Sequence, residues 1–133
     1  MFDPENVLKI ARISKAEGWP YPKTFQALVD AGVDSYVVEV ATHQIIYHGN
    51  HQTAIEEKPK GFRELLVAND WNPQELKEAL ERNQVEKNYE VFLQDAAMAG
   101  VASYRVNMKK REITYLGKFR GQEYTEKIPA FTE

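Results

Sequence analysis

The sequence predicts an α+β fold in which two related helix–strand–strand–strand units form a curved antiparallel sheet with helices packed on one face. The first observation is a repeat: residues 31–38, AGVDSYVV, return 68 positions later (36 to 104) as residues 99–106, AGVASYRV. The second is a change of period at each glycine, from helical spacing before it to strand-like alternation after it. The third is a set of prolines and capping residues typical of helix starts.

The repeat also predicts the domain organisation. Both copies keep one spacing from the Ala-Gly-Val segment to a Tyr-x-Gly segment, so neither copy contains an insertion there. We expect a single domain over residues 1–133, with repeat units at about 21–59 and 89–129 joined by a central helical segment at about 60–86. The other matching positions are Ile45, Tyr47 and Gly49 in the first unit and Ile113, Tyr115 and Gly117 in the second.

Helix boundaries can be read along the first unit. Asp3 before Pro4 predicts an N-cap followed by proline at the first helical position, where its missing N–H costs nothing. Gly18 is the expected end of that helix. Pro22 begins a second predicted helix, and Gly32 ends it as the left-handed residue after the C-terminus.

Two more helices are predicted in the remainder of the chain. Asn72 before Pro73 indicates an N-cap and the start of a central helix that ends near Arg82. Apolar residues at helical spacing around Phe92 predict a helix that Gly100 ends. Residues 65–67, LLV, fit either a strand or a helical turn.

A predicted hairpin follows each repeated glycine. With a two-residue turn at Thr42 and His43, Val38 lies opposite Tyr47, and the apolar partners all fall on one face of the sheet. Neither hairpin carries an Asn-Gly turn, so a four-residue loop that closes the same register is the alternative.

The second hairpin repeats this register and places Val106 opposite Tyr115. A third strand is expected after each hairpin, near residues 52–56 and 123–128, with Pro59 and Pro129 beyond them. Proline at a strand end is typical of a sheet edge.

Composition excludes several classes of function. The chain has 133 residues, 43% apolar and 28% charged, with a net charge of −3, which argues against a nucleic-acid partner. Residues 109–111, KKR, are the one basic cluster and fall at a predicted hairpin tip. The absence of cysteine excludes disulfides and thiolate chemistry, and no apolar run is long enough to predict a membrane span. We therefore expect a cytoplasmic protein without a cofactor.

The three histidines lie close together in the sequence, at His43, His48 and His51. In the predicted register Glu39 lies diagonally across from His48, so these two side chains are candidates for a general acid–base pair. The spacing of the three histidines fits no ligand pattern on a strand, where residues on one face differ by two. We therefore predict no metal site.

Four repeated tyrosines share the apolar strand face. They are core residues whose hydroxyls reach the rim of the sheet, or they line a quasi-symmetric ligand groove where the two hairpins meet. On the groove hypothesis Arg105 is an anion-binding residue of the second hairpin. The tyrosines are Tyr36, Tyr47, Tyr104 and Tyr115.

The order of motifs resembles that of a known family. The elements that carry the resemblance are a proline-started helix with Phe25, residues 31–38, Tyr47-x-Gly49, a helix with Phe92, residues 99–106, residues 113–115 (ITY) and residues 126–129 (EKIP). From about Trp19 to Pro129, the chain resembles DUF1398, small bacterial proteins of unknown function, some labelled phage-envelope-like. The resemblance implies a bacterial single-domain protein without a known cofactor, and it transfers no catalytic residue. Members often carry a cysteine near Phe92, and this chain has none.

Two functions from different classes follow from these residues. The first is a small binding or interaction module that self-associates, since an edge strand at residues 123–128 is a template for another strand. Its partner is a small molecule or a protein. The alternative is a small enzyme that acts on a polar molecule with Glu39 and His48 as its acid–base pair. The sequence contains no complete catalytic motif.

Overall fold

The computed structural model describes residues 1–86 and 88–128. Two helices followed by three strands occur twice along this part of the chain, and we call each set of five elements a series. The elements are α1 (Pro4–Glu17), α2 (Tyr21–Asp30), β1 (Ser35–Glu39), β2 (Ile45–Gly49), β3 (Gln52–Glu56), α3 (Pro73–Glu86), α4 (Tyr89–Met98), β4 (Val101–Asn107), β5 (Glu112–Gly117) and β6 (Glu123–Lys127). Pro129, the predicted end of the second repeat unit, lies outside the described residues.

The six strands form one antiparallel sheet in the order β3-β2-β1-β4-β5-β6. Side chains alternate along each strand, so that Tyr36 and Val38 of β1 are buried while Val37 and Glu39 face the other side. The buried face packs against the helices. The predicted α+β class, with an antiparallel sheet built from two related series of strands, is confirmed.

The two hairpins meet across a local pseudo-two-fold axis. β1 and β4 pair so that Val37 lies opposite Arg105, and these are equivalent positions of the repeat (37 to 105 is again 68). The flanking hydrogen bonds obey the same symmetry. Val40 N–H donates to the Ala102 carbonyl and Met108 N–H donates to the Asp34 carbonyl, both at 3.0 Å.

Each series of elements contains one more helix than the sequence repeat indicates, because α3 stands in the second series where α1 stands in the first. Both helices start with proline behind a side-chain cap. The Asp3 carboxylate accepts from Glu5 N–H at 3.1 Å, and the Asn72 side chain accepts from Glu75 N–H at 3.0 Å. α3 runs to Glu86, past the predicted end at Arg82.

The residue before each capped helix start packs onto two repeated glycines. A Cβ on Gly49 would meet the Phe2 ring at 2.4 Å, and a Cβ on Gly117 would meet the Trp71 ring at 3.0 Å. A Cβ on Gly32 would meet the backbone nitrogen of Phe2 at 2.7 Å. These glycines are therefore required for close approach between the strands and the segments that precede α1 and α3.

The predicted hairpin registers are both wrong by two residues. Tyr36 lies opposite Tyr47, and Tyr104 lies opposite Tyr115. The cause is the position of the four-residue loops, at residues 40–43 and 108–111. Each loop ends in a residue with a left-handed backbone: His43 with φ 65° and Arg111 with φ 53°. Since the shift is an even number of residues, every side chain keeps its predicted face.

Residues 57–72, which join β3 to α3, have no regular structure at residues 65–67, so neither alternative for that segment is observed. Backbone hydrogen bonds nevertheless attach the connection to both halves. Leu65 N–H donates to the Ala41 carbonyl at 2.9 Å, and Ala68 N–H donates to the Ala97 carbonyl at 2.8 Å. Among the described residues, no helix is long and apolar enough to cross a bilayer.

Candidate functional site

The four repeated tyrosines lie on the face of the sheet that the helices cover. Tyr36 and Tyr47 are cross-strand neighbours, and so are Tyr104 and Tyr115, with ring centroids 5.3 and 5.4 Å apart. Their exposed fractions are only 2 to 7%. The rings therefore belong to the core between the sheet and the helices.

Two further tyrosines, which the sequence prediction missed, connect the strand tyrosines to the helices by hydrogen bonds. The hydroxyl of Tyr21, at the start of α2, is hydrogen-bonded to that of Tyr36. The hydroxyl of Tyr89, at the start of α4, is bonded in the same way to that of Tyr104. The signal was present in the sequence, since Tyr21 and Tyr89 also stand 68 positions apart.

Two glutamates, also missed, accept the remaining hydroxyls. Tyr47 Oη donates to Glu56 Oε1 at 2.7 Å, and Tyr115 Oη donates to Glu126 Oε1 at 3.1 Å. These carboxylates stand 70 rather than 68 positions apart, because four residues separate the paired residues Gly117 and Gln122, whereas two separate Gly49 and Gln52. In the first series Glu56 also forms an ion pair with Lys15 of α1. We call these six tyrosines and two glutamates the tyrosine layer.

Burial keeps the phenol groups of the strand tyrosines protonated. Desolvation raises the pKa of Tyr36, Tyr47, Tyr104 and Tyr115 above the ordinary value of 10.0. Burial also raises the pKa of the Glu126 carboxyl, and the hydrogen bond from Tyr115 offsets part of that rise. Neutral phenols whose hydroxyls are already bonded to protein groups have little capacity to act as bases or to bind a ligand. The geometry favours the core interpretation, and the tyrosine groove stays a prediction.

The diagonal pairing predicted for Glu39 and His48 is wrong. Both residues lie on the sheet face away from the helices, as expected, but His48 is opposite Ser35, four residues from Glu39 along β1. At about 3.3 Å per strand residue, the two backbones are offset by roughly 13 Å along the strand direction. The cause is the two-residue shift of the hairpin, and the two side chains do not form an acid–base pair.

The three histidines point to different surroundings. His43 is buried in the β1–β2 loop, with its ring 5.1 Å from that of Phe62 and 5.2 Å from that of Tyr89. Desolvation lowers its pKa from 6.5, and its Nδ1 atom has no hydrogen-bond partner among the described residues. His48 lies on a strand and His51 in the exposed β2–β3 turn. In the part of the chain that the structure describes, no three histidine, aspartate or glutamate side chains are placed to hold a metal ion.

The face of the sheet away from the helices differs in chemistry between its two halves; we call it the open face. The row through the pseudo-two-fold axis is apolar on the first half and polar on the second. From edge to edge it contains Ile55, Ile46, Val37, Arg105, Thr114 and Thr125. Ile55 is 46% exposed, so part of the apolar half of the row is accessible to solvent.

Arg105 lines a depression of about 370 Å³ on the polar half of the open face. We call this depression the Arg105 pocket. It is lined by Ser35, Arg105, Val106, Asn107, Lys110, Glu112 and Thr114. The Glu112 carboxylate is engaged by Lys127 Nζ at 2.9 Å, whereas no hydrogen bond or ion pair within the described residues engages the Arg105 guanidinium. The pocket thus combines uncompensated positive charge with hydroxyl and amide groups.

The structure separates Arg105 from the tyrosines with which it was predicted to form a site. Tyr104 and Arg105 are successive residues of β4, so their side chains point to opposite faces of the sheet. Arg105 belongs to the open face together with Thr114 and Lys110, which the sequence prediction did not assign to a site. No repeat signal could have found them, because the equivalent residues, Ile46 and Thr42, have different chemistry.

Fold and sites together define a small α+β protein with internal pseudo-symmetry. Residues 11–127 match the family model of DUF1398, described as a protein of unknown function. The chain belongs to the DUF1398 family, so the predicted family is confirmed. No curated protein matches the chain.

Proposed function

We propose that this protein is a small binding module that holds an anionic small molecule in the Arg105 pocket. The observation that carries the proposal is the Arg105 guanidinium, which lines a polar depression of about 370 Å³ and has no hydrogen bond or ion pair among the described residues. An arginine supplies five N–H donors in a planar fork that fits carboxylate and phosphate groups. Ligands of this kind are therefore the expected class.

The neighbouring groups support this ligand class. Lys110 adds a second cation, and Ser35 and Thr114 add hydroxyls that donate or accept. Glu112 is the one acidic lining residue, and its ion pair with Lys127 reduces its repulsion of an anion. The lining therefore favours a compact anion that carries further polar groups.

The enzyme alternative has less support, because Glu39 and His48 are offset by about 13 Å along the strand direction and the tyrosine layer is satisfied internally. The proposal includes a cytoplasmic, bacterial setting without a cofactor, as the composition and the family resemblance predict. The phage-envelope-like label predicts an extended assembly, which sedimentation would detect as species larger than a dimer.

The test is a titration with inorganic phosphate and with succinate, followed by amide chemical shifts. We expect shifts confined to β1, β4, β5 and the loop after Asn107. Arg105→Gln should weaken binding by about tenfold or more, since a charge-assisted bidentate contact is lost.

Arg12→Gln is the matched control, because Arg12 is an exposed arginine of α1 and its loss changes the net charge equally. It should bind as the wild type does. Equal weakening by both variants, or shifts centred elsewhere, would contradict the proposed site and indicate nonspecific charge screening.

A further inference from the structure

The outer edge of β6 presents backbone groups that can pair with another strand. Gly117 N–H donates to the Gln122 carbonyl, and Ile128 N–H donates to the Arg111 carbonyl, both at 2.9 Å. In an antiparallel ladder the residues that exchange such bonds alternate with residues that point away. The N–H and C=O groups of Glu123, Thr125 and Lys127 therefore point outward from β5. Among the described residues, no strand pairs with that side of β6.

The side chains at these positions select one pairing with a second copy. An antiparallel pair with two-fold symmetry can be centred on any residue of β6, but only centring on Thr125 pairs all three outward residues of both copies with one another. Centring on Glu123 or Lys127 would oppose two like charges directly, which is destabilising. Centring on Thr125 places Glu123 of each copy opposite Lys127 of the other.

We propose that two copies of this chain form a dimer through antiparallel pairing of their β6 strands, centred on Thr125. The pairing joins the two sheets into one continuous sheet and uses all three outward residues of each copy. Lys127 then lies between Glu112 of its own chain, already 2.9 Å away, and Glu123 of the second copy. On the helix side of the sheet, Tyr124 lies opposite Glu126 of the other strand.

The opposite edge of the sheet does not offer the same arrangement. β3 runs from Gln52 to Glu56 and carries a single charged residue, Glu56, which is occupied by Lys15 and Tyr47. A second β3 strand would therefore find no complementary charge. The asymmetry between the edges favours closed dimers through β6 over open fibres of sheets. The pairing adjoins the Arg105 pocket through Lys127, because its ion-pair partner Glu112 lines that pocket.

The oligomeric state of the whole chain tests the pairing. Sedimentation velocity over a micromolar concentration range should show the wild type as a dimer. Glu123→Lys and Lys127→Glu should each weaken dimerisation by about tenfold or more. In each variant, two pairs of like charges would face each other across the interface. Thr125→Pro removes an outward N–H without removing a β5–β6 hydrogen bond, and it should also give monomers.

Mixing the two charge variants separates specific pairing from lost folding. An equimolar mixture of Glu123→Lys and Lys127→Glu should form a heterodimer, because each Lys then faces a Glu. Glu81→Lys, an exposed charge reversal on α3, should leave the wild-type dimer intact. A monomeric wild type, charge variants that dimerise as well as the wild type, or a mixture that stays monomeric would each overturn the proposal.

Discussion

The two halves of the molecule, residues 1–58 and 70–128, share their internal contacts and differ on their surfaces. Both have a capped, proline-started helix, an aromatic residue packed on a glycine, a tyrosine pair and a tyrosine–glutamate pair. On the open face, Val37, Ile46 and Ile55 of the first half correspond in register to Arg105, Thr114 and Thr125 of the second. The shared features are those the fold needs, and the differing positions are the candidates for function.

The carboxylates of the two tyrosine–glutamate pairs show a second difference. Glu56 is bonded to Tyr47 and also forms an ion pair with Lys15 of α1. Glu126 accepts from Tyr115, and its pKa is raised by burial. The first half therefore balances the charge of its carboxylate with a lysine, whereas no ion pair among the described residues balances that of Glu126.

The largest expected effect tests the close packing that both halves share. Gly32→Ala and Gly100→Ala should each lower the free energy of unfolding by more than about 3 kcal/mol, measured by urea denaturation. Both glycines have left-handed backbones, with φ 93° and 94°. A Cβ would lie 2.7 Å from Phe2 N in the first half and 2.4 Å from the Asp70 carbonyl oxygen in the second.

Gly18→Ala is the matched control for these two variants. Its φ is 63°, but nothing lies within 4 Å of an added Cβ. This variant should lower the free energy of unfolding only by the backbone strain of alanine at this φ, about 1 kcal/mol. If Gly18→Ala cost as much as Gly100→Ala, strain rather than close approach would explain all three losses.

An intermediate effect should distinguish the two tyrosine–glutamate pairs. Tyr115→Phe removes a hydrogen bond from a half-buried carboxyl and should cost about 2 kcal/mol. Tyr47→Phe should cost about 1 kcal/mol less, because Glu56 keeps its ion pair with Lys15. Urea denaturation of both variants at one pH measures the difference. Equal losses of unfolding free energy would show that the ion pair with Lys15 does not compensate Glu56 for the missing hydrogen bond.

The smallest expected effect concerns the loop residues His43 and Arg111, which are equivalent positions. The pKa of His43 is lowered by burial, so the unfolded chain takes up a proton below pH 6.5 more readily than the folded one. The contribution of the neutral, buried His43 side chain to the free energy of unfolding is therefore fully present above pH 6.5. As the pH falls below 6.5 this contribution is lost, by at most about 1.4 kcal/mol per pH unit.

His43→Gln should flatten the pH dependence of urea stability below pH 6.5. Arg111→Gln should keep the wild-type slope, because arginine does not titrate in this range. An unchanged slope in His43→Gln would show that the buried imidazole is protonated as readily in the folded protein as in the unfolded chain.

The sequence was sufficient for the fold class because two signals agreed: the repeat and the alternation along each strand. Side-chain faces were correct even where the register was not, because a four-residue loop shifts the pairing by an even number of positions. A four-residue loop was one alternative from the sequence, but its position was not predictable, since no glycine or asparagine marks the left-handed backbones at His43 and Arg111.

The candidate site was only partly predictable. Arg105 was singled out, but Lys110 and Thr114 reach the same pocket through strand pairing and loop geometry that no local pattern encodes. The role of α3 was hidden as well. Its repeat with α1 has an offset of 69 rather than 68, as Pro4 and Pro73 show, so the register of the repeat fails there.

The central pairing of β1 with β4 has a consequence for how the chain folds. The hairpins on either side close over four residues, whereas Val37 and Arg105 meet only after 68 positions of intervening chain. Contacts between distant parts of a chain form slowly, because the entropy of loop closure is lost before they stabilise the structure. We expect each half to collapse on its own first. The docking of the two halves along this seam then limits the folding rate, with residues 57–72 as the tether that sets their effective concentration.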